Sequence, residues 1–260
     1  MAEILAHISD LHLGRDAAGE AAAEALCAEL VAAEVGVVVA TGDLTHRGRL
    51  AELRRFERIF APLAERLVVV PGNHDRLGDD LRAAIMPGPR VQAVARGGLW
   101  LISVDSTAPH NRSLIASHGA IEADDLAALD EALGAAPSGS LVAVALHHHL
   151  LPLPEEHVGE RLAALLGWPH AAEVAGGPEL VQALRGRCDL VLHGHRHRAA
   201  ELTLDAGAPR PLRVLNAGST PELGRARLLA HEAGRLLAQA WLGSGHAVPS
   251  PLTALARAAA

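Results

Sequence analysis

Hydrophobic residues occur along this chain in two patterns: short uninterrupted runs, and longer stretches in which apolar positions recur every three or four residues. The runs are rich in Val and Leu and are bounded by Gly or Pro, which is typical of strands buried on both faces. The recurring positions between them predict amphipathic helices. This alternation predicts an α/β fold in which right-handed β-α-β units contribute parallel strands.

The first seventy residues give the clearest example of this alternation. One predicted helix is dominated by Ala, Glu and Leu, and a second places Leu53, Phe56, Ile59 and Phe60 on one face before the pattern ends near Pro62. The predicted strands are residues 3–9, 37–41 and 67–70, and the predicted helices are residues 17–34 and 50–64.

The middle of the chain changes character, because two apolar runs flank Gly97-Gly98 and predict a hairpin, so that an antiparallel portion joins the sheet. We expect one domain over residues 1–242 and a loosely held tail, rich in Pro, Ala and Ser, over residues 243–260. The remaining predicted strands are residues 91–96, 99–104, 141–146, 189–192, 201–204, 212–215, 225–232 and 235–242, and the remaining helices are residues 121–133 and 178–185.

Short polar motifs follow five of the apolar runs directly. They are Ser9-Asp10-Leu11-His12, Gly42-Asp43, Gly72-Asn73-His74-Asp75, His147-His148-His149 and Gly194-His195-Arg196-His197. Open α/β sheets place their ligands at the carboxyl ends of strands, so we expect these carboxylates, imidazoles and the amide to gather there. Each motif taken alone has an ordinary alternative as a turn, a helix cap, a surface histidine or a tag-like tract, whereas their joint occurrence favours a metal site.

The order D-x-H, G-D, G-N-H-D, H-H, G-H-x-H resembles that of the calcineurin-like metallophosphoesterase superfamily, in particular its small bacterial branch of cyclic-nucleotide and glycerophosphodiester phosphodiesterases. The resemblance covers about residues 1–220. It implies a four-layer sandwich in which two mixed β-sheets are flanked by helices.

The resemblance also implies two divalent metal ions that share one carboxylate. The implied ligands are Asp10, His12, Asp43 and His197 for one ion, and Asp43, Asn73, His147 and His195 for the other. His148 is the alternative to His147, because three histidines stand in a row. Asp10 and His12 are two residues apart on a segment that we expect to be extended, so their side chains should point the same way, as should those of His195 and His197. Nitrogen and oxygen ligands of this kind suit Mn, Fe, Zn, Co or Ni better than Ca.

In related enzymes the nucleophile is a hydroxide between the two ions, and the residue matching His74 faces the phosphate. His74 is therefore a predicted catalytic residue, with Asp75 either orienting its ring or filling a buried structural role. Arg76 and Arg196 are the predicted substrate contacts. Arg47 and Arg198 also lie beside the motifs. For all four arginines the alternatives are a bidentate phosphate contact and a solvated surface position.

The other histidines are less informative. His46 and His193 lie within the motifs and are candidates either to support the ligands or to fill packing roles. Surface or packing roles are expected for His7, His110, His118, His157, His170, His231 and His246. We expect residues 106–119 and 150–177, which are long and punctuated by Pro and Gly, to rim the cleft and set specificity.

The amino-acid composition of the chain excludes several kinds of catalytic chemistry and of binding partner. All 23 basic residues are Arg and the chain has no Tyr, which excludes a Walker P-loop lysine, a Schiff-base lysine and a catalytic tyrosine. The net charge of −7 without a basic run argues against an extended duplex partner. The two cysteines, Cys27 and Cys188, form no metal or redox motif. No membrane span or secretory leader is recognisable, and a cytoplasmic location is expected.

These observations favour a dinuclear metal-dependent phosphoesterase that hydrolyses a small phosphodiester, cyclic nucleotides being favoured by the resemblance. The alternatives are a phosphomonoesterase, a nucleotide-lipid pyrophosphatase and a nuclease, since residues 10–15 also resemble the opening of a nuclease branch of the superfamily. A non-catalytic scaffold is the alternative from another class, but such relatives typically lose ligands, and here every ligand position holds a competent residue. The sequence leaves oligomeric state and native metals open.

Overall fold

The computed structural model describes residues 2–113, 116–151 and 173–243. Within these ranges the strands form two sheets. The strands are β1 (Glu3–Ile8), β2 (Val37–Thr41), β3 (Leu67–Val70), β4 (Val91–Arg96), β5 (Leu99–Val104), β6 (Leu141–Ala145), β7 (Leu190–His193), β8 (Ala199–Leu204), β9 (Leu212–Ala217), β10 (Arg225–Glu232) and β11 (Arg235–Gly243).

The helices are α1 (Ala17–Ala32), α2 (Leu50–Phe60), α3 (Arg82–Ile85), α4 (Ala123–Gly134), α5 (Gly177–Leu184) and α6 (Thr220–Leu223), with short 3₁₀ helices at Ala61–Arg66, His74–Arg76 and Pro109–Arg112. The prediction of a single helix over residues 50–64 was wrong at its end, because the α-helix stops at Phe60 and a 3₁₀ helix follows. Pro62 lies in the first turn of that 3₁₀ helix, where its missing N–H breaks no hydrogen bond.

The first sheet has the order β11-β10-β1-β2-β3. Strands β1, β2 and β3 pair in parallel, whereas β10 pairs antiparallel with both of its neighbours, β1 and β11. The second sheet has the order β4-β5-β6-β7-β9-β8, with parallel pairing from β5 to β9 and an antiparallel strand at each edge. The predicted hairpin about Gly97-Gly98 is confirmed, since Arg96 pairs with Leu99 and both glycines have positive φ. Both sheets are therefore mixed, as predicted.

Three apolar layers hold these sheets and helices together. One packs α1 and α2, including Leu30 and Phe56, on the outer face of the first sheet. A second joins the facing sides of the two sheets, and the third packs α4 and α5, including Leu129 and Leu180, on the second sheet. The layers run helix, sheet, sheet, helix, which confirms the predicted four-layer sandwich. Residues 244–260 lie outside the described residues, so the predicted loose tail stays a prediction.

The described part of the chain contains no helix that is both long enough and apolar enough to cross a bilayer. Cys27 and Cys188 are buried and free, as expected for small packing residues.

Candidate metal centre

The five polar motifs meet at one edge of the sandwich. β1, β2, β3, β6 and β7 are parallel within their own sheets, and each ends at this edge immediately before its motif. The predicted ligands Asp10, His12, Asp43, Asn73 and His147 are buried, while His195 and His197 are partly exposed. The sheet topology therefore brings together every predicted ligand.

The backbone at this edge is left-handed rather than extended. Asp10, His12, Asp43, His195 and His197 have φ values of 53°, 45°, 50°, 73° and 50°. The expected extended geometry of the D-x-H and H-x-H motifs was therefore wrong, although both members of each pair do reach the site. Non-glycine residues avoid this region for steric reasons, so the surrounding contacts must hold them there.

Two glycines of the motifs allow the loops to approach one another. A Cβ on Gly72 would overlap the carboxylate of Asp43, and a Cβ on Gly194 would overlap Ser9 and the carboxylate of Asp10. Glycine is thus required at both positions by close contact with the ligands.

The first group of ligands consists of Asp10, His12, Asp43 and His197, whose nearest ligand atoms all lie within 4.8 Å of one another. The Nε2 atoms of His12 and His197 are 2.9 Å apart. His197 Nε2 lies 3.5 Å from Asp10 Oδ1, and His12 Nε2 lies 3.7 Å from Asp43 Oδ2. Two carboxylates and two imidazoles therefore converge on one point.

The second group consists of Asp43, Asn73, His147 and His195. His147 Nε2 lies 3.4 Å from Asp43 Oδ1 and 3.1 Å from Asn73 Oδ1. His195 Nδ1 lies 3.0 Å from the same Asn73 oxygen. Asp43 thus turns one carboxylate oxygen toward each group.

His147 and His148 differ in how their ring nitrogens are engaged. His147 Nδ1 donates to the Thr41 carbonyl at 2.7 Å, which leaves Nε2 directed at Asp43 and Asn73. His148 Nδ1 lies 2.9 Å from Ser106 Oγ, and its Nε2 donates to the Ser117 carbonyl at 2.8 Å. The ring of His148 also lies near His147 and His195, but both of its nitrogens have protein partners. This geometry supports His147 as the ligand.

The carboxylates and imidazoles of this edge shift one another's pKa values. Burial opposes a charge on His147, but Asp43 and Asp10 outweigh it and raise the pKa of His147 to about 9. Burial would likewise raise the pKa of Asp43, yet the imidazoles of His147 and His74 hold it well below its usual range. For His12, burial lowers the pKa to about 3, so its imidazole is neutral and available as a ligand.

These donor atoms fit divalent ions of the transition series. Bonds of about 2.0–2.2 Å from one ion place its ligand atoms about 3–4.4 Å apart, which the observed separations match. Carboxylate, amide and imidazole donors are the set that Mn, Fe, Zn, Co and Ni accept.

Comparisons with known proteins give the family and the fold of this chain. The model of the calcineurin-like phosphoesterase family matches residues 5–199. The chain belongs to the calcineurin-like phosphoesterases. Solved structures of similar fold include a dimetal phosphatase from Danio rerio, with a TM-score of 0.62 at 12% identity over 94% of this phosphoesterase and 99% of that chain. A purple acid phosphatase from yellow lupin gives a TM-score of 0.61 at 10% identity over 94% of this chain and 54% of its own.

Curated relatives of this phosphoesterase are similar over part of their length. The 3',5'-cyclic adenosine monophosphate phosphodiesterase CpdA of Pseudomonas aeruginosa is 33% identical over 58% of this chain and 56% of its own. A cAMP/cGMP dual specificity phosphodiesterase of Mycobacterium tuberculosis is 29% identical over 77% of this chain and 63% of its own. The phosphoesterase therefore spans less than two thirds of the length of either relative.

His74 lies beside the first group of ligands. Its backbone N–H donates to Asp43 Oδ1 at 2.8 Å, and its Nδ1 donates to the His46 carbonyl at 2.7 Å. The rings of His12 and His74 meet edge to face, with centroids 4.6 Å apart. His46 therefore supports His74 through its main chain, and its own ring lies within the same histidine cluster.

Of the two roles predicted for Asp75, the structure does not show the one in which it orients the ring of His74. Its Oδ1 accepts from the backbone N–H and hydroxyl of Thr45, and its Oδ2 accepts from the backbone N–H groups of Leu44 and Gly72. The His74 ring nitrogen that Asp75 was expected to contact instead meets a carbonyl oxygen. Asp75 is buried and clamps the loop after Asp43 to the loop before Asn73, which is the structural alternative.

The arginines beside the motifs occupy different environments. Arg76 pairs with Asp80 at 2.5 Å and donates to Thr107 Oγ1 at 3.0 Å, so its guanidinium already has protein partners. Arg47 and Arg198 are exposed, and Arg196 is partly exposed. Substrate contact by Arg76 or Arg196 stays a prediction, and the pairing of Arg76 weighs against it.

Sequence reasoning missed the supporting residues at the carboxyl end of β9 and directly after it. Ser219 Oγ donates to the carbonyl of Asp10, and Thr220 Oγ1 accepts from the backbone N–H of Ser9. Asn216 Nδ2 donates to the carbonyl of Gly194. Their signal was present, because Asn216 to Thr220 also lie at the carboxyl end of a strand, but they contain no metal-ligating motif.

Of the two segments expected to rim the cleft, residues 106–119 are largely described by the structure, whereas most of residues 150–177 are not. In the first, Ser106 and Ser117 contact the ring of His148, so that segment packs against the histidine motif. Residues 114–115 and 152–172 lie outside the described residues, and with them most of the second segment.

Proposed function

We propose that this protein is a dinuclear metal-dependent phosphodiesterase that hydrolyses a small phosphodiester, with cyclic nucleotides as the favoured substrate class. The observation that carries the proposal is the position of Asp43, whose two oxygens lie 3.4 Å from His147 Nε2 and 3.7 Å from His12 Nε2. A carboxylate that faces two separate ligand groups is the element that a two-ion site requires.

In the proposed centre, one ion is held by Asp10, His12, Asp43 and His197, and the other by Asp43, Asn73, His147 and His195. When bound, two such ions supply Lewis-acid stabilisation of the phosphate oxygens and a nucleophile derived from water. The protein's part is to fix these ligands. The Thr41 carbonyl sets the tautomer of His147, and the two backbone clamps, Asp75 and Ser219, hold the loops that carry Asp43 and Asp10.

His74 is the proposed proton donor. Because its Nδ1–H is committed to the His46 carbonyl, the proton that it can transfer is the one on Nε2 in the imidazolium form. Transfer of that proton to the leaving alkoxide oxygen converts the leaving group to a neutral alcohol and leaves His74 as the neutral Nδ1–H tautomer. In its charged form the same group stabilises charge that develops on the phosphate.

The proposed substrate class rests on the relatives named as cyclic-nucleotide phosphodiesterases and on the charge of the chain. A net charge of −7 with no lysine favours a small ester over a long nucleic acid. Manganese or iron as native ions, and a cytoplasmic location, stay predictions.

The test is hydrolysis of bis(p-nitrophenyl) phosphate beside p-nitrophenyl phosphate with added Mn²⁺, followed by cyclic AMP. Asp43→Asn is the inactive comparison, and Asp124→Asn, an exposed acid on α4, is the matched control. We expect diester turnover that is lost in Asp43→Asn and kept in Asp124→Asn. Preference for the monoester would replace the proposal with a phosphatase, and turnover that survives in Asp43→Asn would contradict the two-ion site.

A further inference from the structure

A cavity separate from the metal centre lies between the two sheets, at the side where β8 of one sheet meets β10 and β11 of the other. Its volume is about 450 Å³, within the range of about 300–1,000 Å³ that is common for small-molecule sites. Its polar lining consists of Glu201, Arg225, Arg227 and Gln239, beside Trp241. None of these residues is a candidate metal ligand.

Two arginines dominate this cavity. Arg225 and Arg227 are two residues apart on β10, so their side chains share the face that is turned toward the other sheet. Their guanidinium carbons lie 4.3 and 4.5 Å from the centre of the Trp241 ring system. The π-face of Trp241 therefore holds both cations close to each other.

The positive charge of this pair is only partly balanced. Glu201 is the one acidic residue in the lining; it lies 3.6 Å from Arg227 Nη1 and also accepts from the Gln239 amide at 2.7 Å. Arg227 is 5% exposed, and burial, together with the charge of Arg225, lowers its pKa. The Nε–H groups of Arg225 and Arg227 are buried and have no hydrogen-bond partner among the described residues. Two neighbouring guanidinium cations against one aromatic ring also repel each other, and an anion in the cavity would relieve that repulsion.

We propose that this cavity, lined by Arg225, Arg227, Gln239 and Trp241, binds a small oxyanion of the phosphate type. Arg227 Nη1 donates to Gln239 Oε1 at 3.1 Å, so the donors offered to an anion are chiefly those of the Arg225 guanidinium and the second amide N–H of Gln239. A tetrahedral dianion presents four oxygens that can accept from them. The cations already engage the face of Trp241, so an oxyanion fits this lining better than a stacked base does.

The cavity is connected to the metal centre through Asn216. Arg227 Nη2 donates to the carbonyls of Ala200 and Asn216 at 3.2 and 3.4 Å. The side chain of Asn216 in turn donates to the carbonyl of Gly194, the residue before His195. The proposed anion site is thus separate from the metal ligands, but Asn216 contacts both Arg227 of this site and the loop that carries His195.

The experiment is a titration of the ¹⁵N-labelled protein, in which the indole N–H signal of Trp241, assigned with Trp241→Phe, reports on the cavity. Inorganic phosphate, sulfate, acetate and chloride are added at constant ionic strength. We expect a saturable shift with phosphate and sulfate, and no comparable shift with acetate or chloride. A shift of equal size with chloride or acetate would overturn the proposal.

Variants locate the binding and separate it from the metal centre. Arg225→Gln should weaken phosphate binding about tenfold or more, and Arg225→Lys, which keeps the charge but loses the planar fork, should weaken it less. Arg235→Gln, an exposed arginine on β11, is the matched control and should bind as the parent does. The response should persist in Asp43→Asn, because that change affects the metal centre alone. Binding that survives in Arg225→Gln, or that disappears in Asp43→Asn, would contradict the assignment to this cavity.

Discussion

The carboxylate of Asp75 accepts two hydrogen bonds from Thr45, one from its backbone N–H at 2.9 Å and one from its hydroxyl at 2.7 Å. With its further bonds to Leu44 and Gly72, this buried group fixes the distance between the loops after β2 and β3. It thereby positions Asp43 and Asn73 while it remains fully buried itself.

We expect Asp75→Asn to lower the free energy of unfolding by about 2–4 kcal/mol, because an amide presents N–H groups to backbone donors that need an acceptor. Denaturant unfolding measures this loss. Asp124→Asn, on the exposed face of α4, should change the free energy by less than about 0.5 kcal/mol. Equal stability of the two variants would show that the clamp contributes little.

His147→Gln and His148→Gln are expected to differ in metal content. His147 directs Nε2 at Asp43 and Asn73, so its replacement should remove one ion from each protein molecule. His148 has both ring nitrogens bonded within the protein, so its replacement should lower stability while both ions stay bound. Elemental analysis after dialysis counts the ions. Loss of an ion only in the His148 variant would reverse the ligand assignment.

His74→Ala should lower kcat by about 100- to 10,000-fold while two ions stay bound. The bond from residue 74 to Asp43 comes from the backbone N–H, which alanine retains. The check is to measure steady-state kinetics and metal content on the same preparation. If the ions are lost as well, His74 holds the metal centre together rather than transferring a proton.

His7 is expected to make stability depend on pH. Burial lowers its pKa in the folded protein well below 6.5, so between that lowered value and 6.5 the unfolded chain binds a proton that the folded protein does not. The contribution of this group is therefore complete above pH 6.5 and is lost as the pH decreases below it, by at most about 1.4 kcal/mol for each pH unit.

The comparison uses denaturant unfolding of the metal-loaded protein at pH 7 and pH 5. His7→Gln should lose less stability between these values than the parent does. Thr41→Val removes the hydroxyl that His7 contacts at 2.9 Å but keeps the histidine, so it should retain the parent's pH dependence. An unchanged slope in His7→Gln would show that other histidines carry the effect.

The sequence was sufficient to predict the layers and the gathering of ligands, because both depend on patterns that are local in the chain. Val37 to Thr41 could only be a buried strand, and Asp43 then had to lie at its carboxyl end. The role of Asp75 could not be read in this way. Its partners Leu44 and Thr45 are 31 and 30 residues away, and the side chain's direction depends on how two loops cross.

The left-handed backbone of the ligands was also beyond prediction. Asp10 and His12 have the spacing of an extended strand, yet their φ values are 53° and 45°. The conformation arises from contacts with other loops, such as the bonds from the Asp10 and His12 N–H groups to the carbonyls of Gly42 and Asp43. Such non-local hydrogen bonds leave no trace in the local pattern.

This strained backbone is expected to make the protein's abundance depend on metal supply. Residues other than Gly are less stable in the left-handed region, although Asp and His tolerate it better than most. The metal-free chain therefore carries a small penalty at each of five positions, which ions bound to the folded state alone would offset. A cell short of the native metal is therefore expected to hold less of the protein, because the metal-free form is less stable and more readily degraded. His197→Gly, which relieves one of these positions, should lengthen the lifetime of the metal-free chain even as it removes a ligand.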